Sequence, residues 1–101
     1  MLKMVRHSLS LSTQTRRQFL DLTSQVREHV ARAEVADGLV VVNTLHTTCC
    51  LLVNEFQGAL VDDLTGLMGR LVTDDGRYKH NDPRYSDCER GNAVAHLRAG
   101  L

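Results

Sequence analysis

Apolar and polar side chains alternate along the first part of the chain, which is the pattern of a β-strand with one exposed face. Over residues 2–11, the odd-numbered positions from Val5 to Leu11 share one face, and the even-numbered positions, which are mostly polar, share the other. The run RRQFLDL, residues 16–22, predicts a second strand. The spacing then becomes helical at Thr23, which we predict to be the N-cap of a first helix.

Two further apolar runs follow the Asp37-Gly38 turn. The run LVVVNTL, residues 39–45, predicts a strand buried on both faces, and CCLLV, residues 49–53, predicts the strand after it. A second helix is predicted by a leucine stripe at helical spacing, which consists of Leu60, Leu64, Leu67 and Leu71.

The last part of the chain is polar before it becomes helical again. Residues 73–90 predict a long functional loop or a disordered segment, and residues 91–101 predict a short third helix. The resulting order, ββαββα-loop-α, predicts an α+β fold with residues 1–101 as one domain. Four short strands would leave an exposed sheet edge, so we also expect the chain to oligomerise.

Charge and cysteine content narrow the possible partners and location. The chain has 12 basic and 12 acidic residues and a formal net charge of zero, which argues against a nucleic-acid partner. The N-terminal segment contains no continuous apolar block, so we expect neither a signal peptide nor a membrane span. The cysteines are odd in number and two are adjacent, which favours free thiols in a reducing cytoplasm.

Three of the five histidines have settings that suit a metal site. His46 ends a predicted strand, His80 lies in the long loop, and His96 lies in the last helix. Imidazoles from three such elements could converge on one metal ion that keeps an open position for water or substrate. Their spacing matches no local zinc motif, so the pattern alone favours the alternative of three unrelated histidines, each hydrogen-bonded to backbone.

Two polar segments flank these histidines. Asn54-Glu55 lies where a strand leads into a helix, so its side chains either cap that helix or support a site as acid/base and orienting groups. The run HNDPRYSDCERGN, residues 80–92, mixes arginines with carboxylates and a thiol. This mixture suits a phosphate- or diphosphate-bearing ligand, because arginine binds phosphate oxygens through two donors and carboxylates bind a cation. It is equally typical of a solvated loop.

Several motifs taken together resemble the YjbQ-like family, whose members are often labelled secondary thiamine-phosphate synthase enzymes. The resemblance is carried from residue 39 to residue 101 by LHTTCCLLVNE, DDL, DDGRYKHND and DCERGNAVAHLRAGL. It implies an α+β fold with a curved, mostly antiparallel sheet and helices packed on one face. It also implies a homotrimer with a histidine-lined pocket at the subunit boundary.

The resemblance, together with the phosphate-binding chemistry of the loop, assigns roles to individual residues. It implies a divalent metal ion, zinc or magnesium, held by His46, His80 and His96. Four residues are expected to be catalytic, and three are expected to bind a phosphorylated small-molecule substrate. The catalytic residues are His46, Asn54, Glu55 and Asn92, and the substrate-binding residues are Thr47, Arg84 and Arg90.

The implied activity is a metal-assisted transfer that joins a pyrimidine-methyl diphosphate to a thiazole phosphate and releases diphosphate. Two alternatives stay open, namely a non-catalytic trimeric module that binds a small anionic metabolite and an inactive truncated fragment. The family pattern continues for roughly thirty residues with a G-T-W-Q segment, so we expect a C-terminal truncation at Leu101. The stretch after Glu55 also lacks the acid-proline start that the family pattern implies.

Overall fold

A computed structural model describes residues 2–101, and the regular structure within this range is helical. Three α-helices are present in the described part of the chain: α1 at Thr23–Arg32, α2 at Gly58–Leu71 and α3 at Ala93–Ala99. A single 3-10 turn at Lys79–Asn81 precedes α3. All three predicted helices are confirmed, and the long polar segment between α2 and α3 contains the 3-10 turn.

The N-terminus of α1 is stabilised by the residue two positions before its start. The Asp21 carboxylate accepts hydrogen bonds from the Thr23 hydroxyl at 2.6 Å and from the Thr23 backbone N–H at 3.0 Å. The hydrogen bond from the Thr23 hydroxyl, and to a smaller extent the bond from the Thr23 backbone N–H, hold the pKa of Asp21 below its usual value. The predicted cap at Thr23 is therefore wrong, because Thr23 is the first helical residue and Asp21 satisfies its backbone donor.

The start of α2 is capped by a residue that the sequence pattern did not indicate. Gln57 is extended, and its side-chain oxygen accepts a hydrogen bond from the backbone N–H of Leu60 at 3.0 Å. The predicted alternative in which Asn54 or Glu55 caps this helix is wrong, because α2 begins at Gly58. Asn54 instead accepts a hydrogen bond from the backbone N–H of Glu55.

The most buried residues lie at the end of α2 and on α3. Val72, the C-cap residue directly after α2, and Ala93, which begins α3, are 7% and 2% exposed. Arg98 is buried with them, and its Nη2 donates a hydrogen bond to the Val72 carbonyl at 2.7 Å. Its Nη1 lies 3.4 Å from Oδ1 of Asp74, an ion pair without hydrogen-bond alignment. Arg98 thus fastens α3 to the C-terminal end of α2.

The predicted α+β fold is wrong, because residues 2–101 contain no β-strand. The four segments predicted as strands are 2–11, 16–22, 39–45 and 49–53, and none of them is hydrogen-bonded into a ladder. Their apolar side chains are open to solvent in several places, with Leu39 96% exposed, Val41 85% and Val53 104%. Apolar alternation makes a strand only where a second extended segment aligns beside it, and no such pairing occurs within the described chain.

The chain divides into two compact units, Met1–Val41 and Val42–Leu101. In the first unit the Lys3 ammonium donates to the Ala33 carbonyl at 2.7 Å, just past the C-terminus of α1, and the His7 ring stacks on His29. A cation is favoured at that end of a helix by the backbone dipole. The second unit contains α2 and α3. The prediction of one domain over residues 1–101 stays a prediction.

None of the helices in residues 2–101 combines the length and the apolar character that crossing a bilayer requires.

Candidate functional site

A cavity of about 380 Å³ opens between the 3-10 turn and α3. It is lined by two cationic side chains, two imidazoles, one phenol and two apolar residues of α3. No carboxylate is among the lining residues, so the chemistry of the wall is that of a site for an anion. The lining residues are Arg77, Tyr78, Lys79, His80, Ala93, His96 and Leu97.

The two histidines of this wall are in contact. The ring centroids of His80 and His96 lie 5.0 Å apart, and the ring planes are nearly perpendicular, at 89°. His80 is placed by the 3-10 turn Lys79–Asn81, and His96 by the second turn of α3. Two imidazoles from different elements therefore meet at one point of the cavity, and they are two of the three histidines that were predicted to converge on a metal ion.

Two asparagines join the 3-10 turn to α3. Asn81 Oδ1 accepts a hydrogen bond from the backbone N–H of Ala93 at 2.9 Å, which satisfies one free donor at the start of α3. Asn92 occupies the N-cap position of α3, but its side chain makes no capping bond. Its Oδ1 lies 3.1 Å from Nε2 of His80 instead. The sequence-predicted residues His80, Asn92 and His96 are thus brought together.

The segment that enters the site is fixed by the ring of Tyr78. The Tyr78 hydroxyl donates a hydrogen bond to the Thr73 carbonyl at 2.7 Å, so the chain closes on itself before the 3-10 turn. A Cβ atom at Gly76 would overlap the Tyr78 ring, so only glycine allows this approach. The closed turn therefore fixes the backbone positions of Arg77 and Lys79.

Comparison with known proteins identifies the family. The family model described as "UPF0047 protein YjbQ-like" matches residues 7–101. The chain belongs to this family. A UPF0047 protein of Archaeoglobus fulgidus is 41% identical over 93 residues, which cover 92% of this chain and 67% of that protein. A UPF0047 protein of Methanothermobacter thermautotrophicus is 30% identical over 93 residues, which cover 92% of this chain and 61% of that protein. No solved structure is detectably similar.

Not every residue that the resemblance assigned lies at the cavity of this UPF0047 chain. His46 lies in an exposed turn in which its carbonyl accepts from the Cys49 backbone N–H at 3.3 Å, and neither Asn54 nor Glu55 lines the cavity. The prediction that His46 ends a strand buried on both faces is wrong, because this segment is neither a strand nor buried.

The predicted metal ligands do not form a centre as they are arranged in the described residues. Within residues 2–101, no three side chains from histidine, cysteine, aspartate and glutamate are grouped so that they could hold a metal ion. The pair of His80 and His96 lacks the third ligand that the predicted site needs. Zinc or magnesium at His46, His80 and His96 stays a prediction.

The predicted substrate-binding residues lie outside the cavity. Arg84 is bound to its neighbour, because its Nη2 and Nε donate to the Asp82 carboxylate at 2.6 Å and 3.1–3.2 Å. This hydrogen bonding lowers the pKa of Asp82 and raises the pKa of Arg84. Thr47 and Arg90 are exposed and do not line the cavity.

The cations that do line the cavity were missed in the sequence of this UPF0047 member. Arg77 and Lys79 flank Tyr78 directly before His80, in the run RYKH. That local alternation of cations with Tyr and His was available as a signal. The prediction favoured Arg84 and Arg90 because they lie in a run that is rich in hydrogen-bond acceptors and donors. The cavity wall is instead formed by the tight turn that carries Arg77 and Lys79.

Proposed function

We propose that the cavity binds a small phosphorylated metabolite and that the protein is a transferase acting on such molecules. The observation that carries the proposal is the composition of the wall, in which Arg77 and Lys79 stand beside His80 and His96 with no carboxylate between them. Guanidinium and ammonium groups form the strongest hydrogen bonds to phosphate oxygens, which favours this ligand class over a neutral one.

The dimensions and the apolar floor also suit a small molecule. A volume of about 380 Å³ lies at the lower end of the range of small-molecule pockets. Ala93 and Leu97 of α3 supply an apolar surface against which a ring or alkyl part of the ligand packs. A phosphate would therefore lie at the cationic turn and the rest of the molecule against α3.

The reaction that we propose joins a pyrimidine-methyl diphosphate to a thiazole phosphate. The thiazole ring nitrogen forms a bond to the methylene carbon, and the bond between that carbon and the diphosphate oxygen breaks. The electron pair of the broken bond leaves on diphosphate, and no proton has to move. Arg77 and Lys79 would stabilise the charge that develops on the departing diphosphate, which is the usual way a protein assists such a leaving group.

The binding experiment is a calorimetric titration with inorganic diphosphate. Substitutions Arg77→Ala and Lys79→Ala are each expected to weaken binding about tenfold, because each removes one charge-assisted contact. Arg84→Ala is the matched control, since Arg84 is already paired with Asp82 and lies outside the cavity, and it should bind diphosphate like the wild type. Wild-type protein that does not bind diphosphate, or a loss confined to Arg84→Ala, would refute the proposed site.

Turnover separates the transferase from a binding module. The full-length protein is incubated with both substrates, with and without divalent metal, and release of diphosphate is followed. Turnover that falls in Arg77→Ala and Lys79→Ala supports the transferase. Tight binding of diphosphate without turnover under any metal condition would instead support a module that binds an anionic metabolite.

Assembly and location complete the proposal. We propose a homotrimer and a cytoplasmic location, the latter because Cys49, Cys50 and Cys88 are free thiols that a reducing compartment would preserve. Solution mass by light scattering tests the trimer, and a monomeric mass for the full-length protein would exclude it.

A further inference from the structure

We propose that Asn92 is a positioning residue that holds His80 in the tautomer with its proton on Nε2, so that Nδ1 carries the free lone pair. His80 would then present a hydrogen-bond acceptor at a cavity whose other polar groups are mainly donors. The inference concerns the proton of one ring in the free protein. Its consequence for the ligand rests on the proposed function.

The tautomer follows from the contact itself. His80 Nε2 lies 3.1 Å from Asn92 Oδ1, which is hydrogen-bonding distance. An amide oxygen has no hydrogen to donate, so the hydrogen of this bond belongs to Nε2. In a neutral imidazole the other nitrogen is then the acceptor. No hydrogen bond to Nδ1 of His80 occurs within the described residues.

A second contact fixes which way the Asn92 amide faces. The Cys88 thiol approaches the same oxygen, with Sγ 3.8 Å from Oδ1. A thiol is a weak donor, and an amide oxygen can accept two hydrogen bonds through its two lone pairs. The thiol contact does not depend on the His80 tautomer, and a thiol hydrogen directed at this atom favours oxygen there rather than the amide nitrogen.

The Asn92 side chain is available to His80 because Asn81 bonds the start of α3 in its place. An asparagine at the N-cap position usually bonds the free backbone donors of its own helix. Here Asn81 bonds the Ala93 backbone N–H from twelve residues along the chain, and Asn92 makes no capping bond. The half-buried Asn92 side chain is thus directed at His80 while the start of α3 is satisfied by another residue.

An acceptor at His80 narrows the class of ligand. Arg77 and Lys79 donate to phosphate oxygens, whereas Nδ1 of His80 accepts a hydrogen bond from an O–H or N–H group. A phosphorylated molecule that carries a hydroxyl or amino group near its phosphate satisfies both requirements. A bare phosphate ester leaves the lone pair of Nδ1 without a partner.

The tautomer is measured on the free, full-length protein without any ligand. Two-bond proton–nitrogen correlation spectra of nitrogen-15-labelled protein are recorded at a pH where the ring is neutral, and the His80 ring is assigned by its loss in His80→Ala. The expected pattern is that of a proton on Nε2. A proton on Nδ1, or an even mixture of the two forms, would overturn the proposal without any need for a variant of Asn92.

Three variants then test the role of Asn92. In Asn92→Ala the Nε2 hydrogen should exchange with water about tenfold faster, and the nitrogen shifts should move towards those of a tautomer mixture. Asn92→Asp keeps an acceptor oxygen and should restore the wild-type pattern. Asn81→Ala is the control, which should lower the helix content of α3 more than Asn92→Ala does. An Nε2 signal unchanged in Asn92→Ala refutes the assignment.

The ligand consequence has its own measurement. Titration with 2-hydroxyethyl phosphate and with ethyl phosphate should show about tenfold tighter binding of the hydroxylated molecule, and the preference should vanish in His80→Ala. Equal binding of both would overturn the ligand consequence. If neither binds, the proposed function fails while the tautomer measurement stands on its own.

Discussion

Residues 42–53 and residues 73–92 belong to the same unit but are held by different interactions. The hydrogen bonds of the first stretch are local, such as the Cys49 backbone N–H on the His46 carbonyl and the His46 backbone N–H on the Thr44 hydroxyl, and Val53 is fully exposed. The second stretch is bound to itself and to α3, through Tyr78 on Thr73 and Asn81 on Ala93. In this unit, a segment is held in place where its polar groups pair around the helix ends. A larger number of apolar side chains does not by itself hold a segment in place.

The same comparison explains where the site lies. An apolar segment without a neighbouring strand leaves its backbone donors and acceptors to water, so His46 is not fixed against other side chains. The polar segment satisfies a free backbone donor at the start of α3 through Asn81, and this places His80 against His96. Four predictions test the contrast, in order of decreasing effect.

The largest effect is expected from Arg98→Ala. The substitution leaves the Val72 carbonyl without its donor and removes a buried guanidinium, so the free energy of unfolding should fall by about 2–4 kcal/mol. Urea-induced unfolding followed by circular dichroism measures the loss. Arg98→Lys keeps the charge without the planar fork and should recover only part of it. A wild-type midpoint in Arg98→Ala would mean that α3 is not fastened to α2 through this side chain.

A pair of valines contrasts the two stretches directly. Val72→Ala should lower the free energy of unfolding by about 1.5–2.5 kcal/mol, because Val72 is 7% exposed. Val53→Ala makes the same chemical change at a fully exposed position and should cost less than about 0.5 kcal/mol. The unfolding curves of both variants are compared with that of the wild type. Equal losses at the two positions would contradict the exposure of residues 42–53.

Asn81→Ala should have an intermediate effect. It removes the acceptor for the Ala93 backbone N–H, and the free energy of unfolding should fall by about 1 kcal/mol. Amide hydrogen exchange of Ala93 and its neighbours reports the loosening of the start of α3. Asn81→Asp keeps an acceptor and should protect these amides as the wild type does, and failure of this rescue would argue against the bond.

The smallest effect on stability is expected when the pH is lowered. Arg84 holds the pKa of Asp82 below its usual value, so the contribution of this ion pair is fully present above pH about 4 and is lost as pH falls through the lowered pKa. The Arg84 backbone N–H, which also bonds the Asp82 carboxylate at 2.9 Å, reports the change by its chemical shift. Asp82→Asn should abolish the pH dependence, and a midpoint at or above the usual value would contradict the pairing.

The site could be predicted in part. His80, Asn92 and His96 were predicted from the family motifs, and they lie together because the 3-10 turn meets the start of α3. Six further residues were predicted by the same reasoning but do not line the cavity, namely His46, Thr47, Asn54, Glu55, Arg84 and Arg90. Arg77 and Lys79 were missed, because proximity across a turn depends on the Tyr78–Thr73 bond rather than on any property of those two residues.

The sequence by itself determined the three helices and the family. A helix satisfies its backbone hydrogen bonds within its own residues, so local spacing and capping are enough to predict it. A strand needs a partner from elsewhere, so the alternation of residues 2–11 and the apolar runs 39–45 and 49–53 could not decide whether a sheet forms. Only the tertiary structure decided that these segments stay unpaired in the described chain, that Asn81 and Asn92 join the 3-10 turn to α3, and that Arg98 fastens α3 to the end of α2.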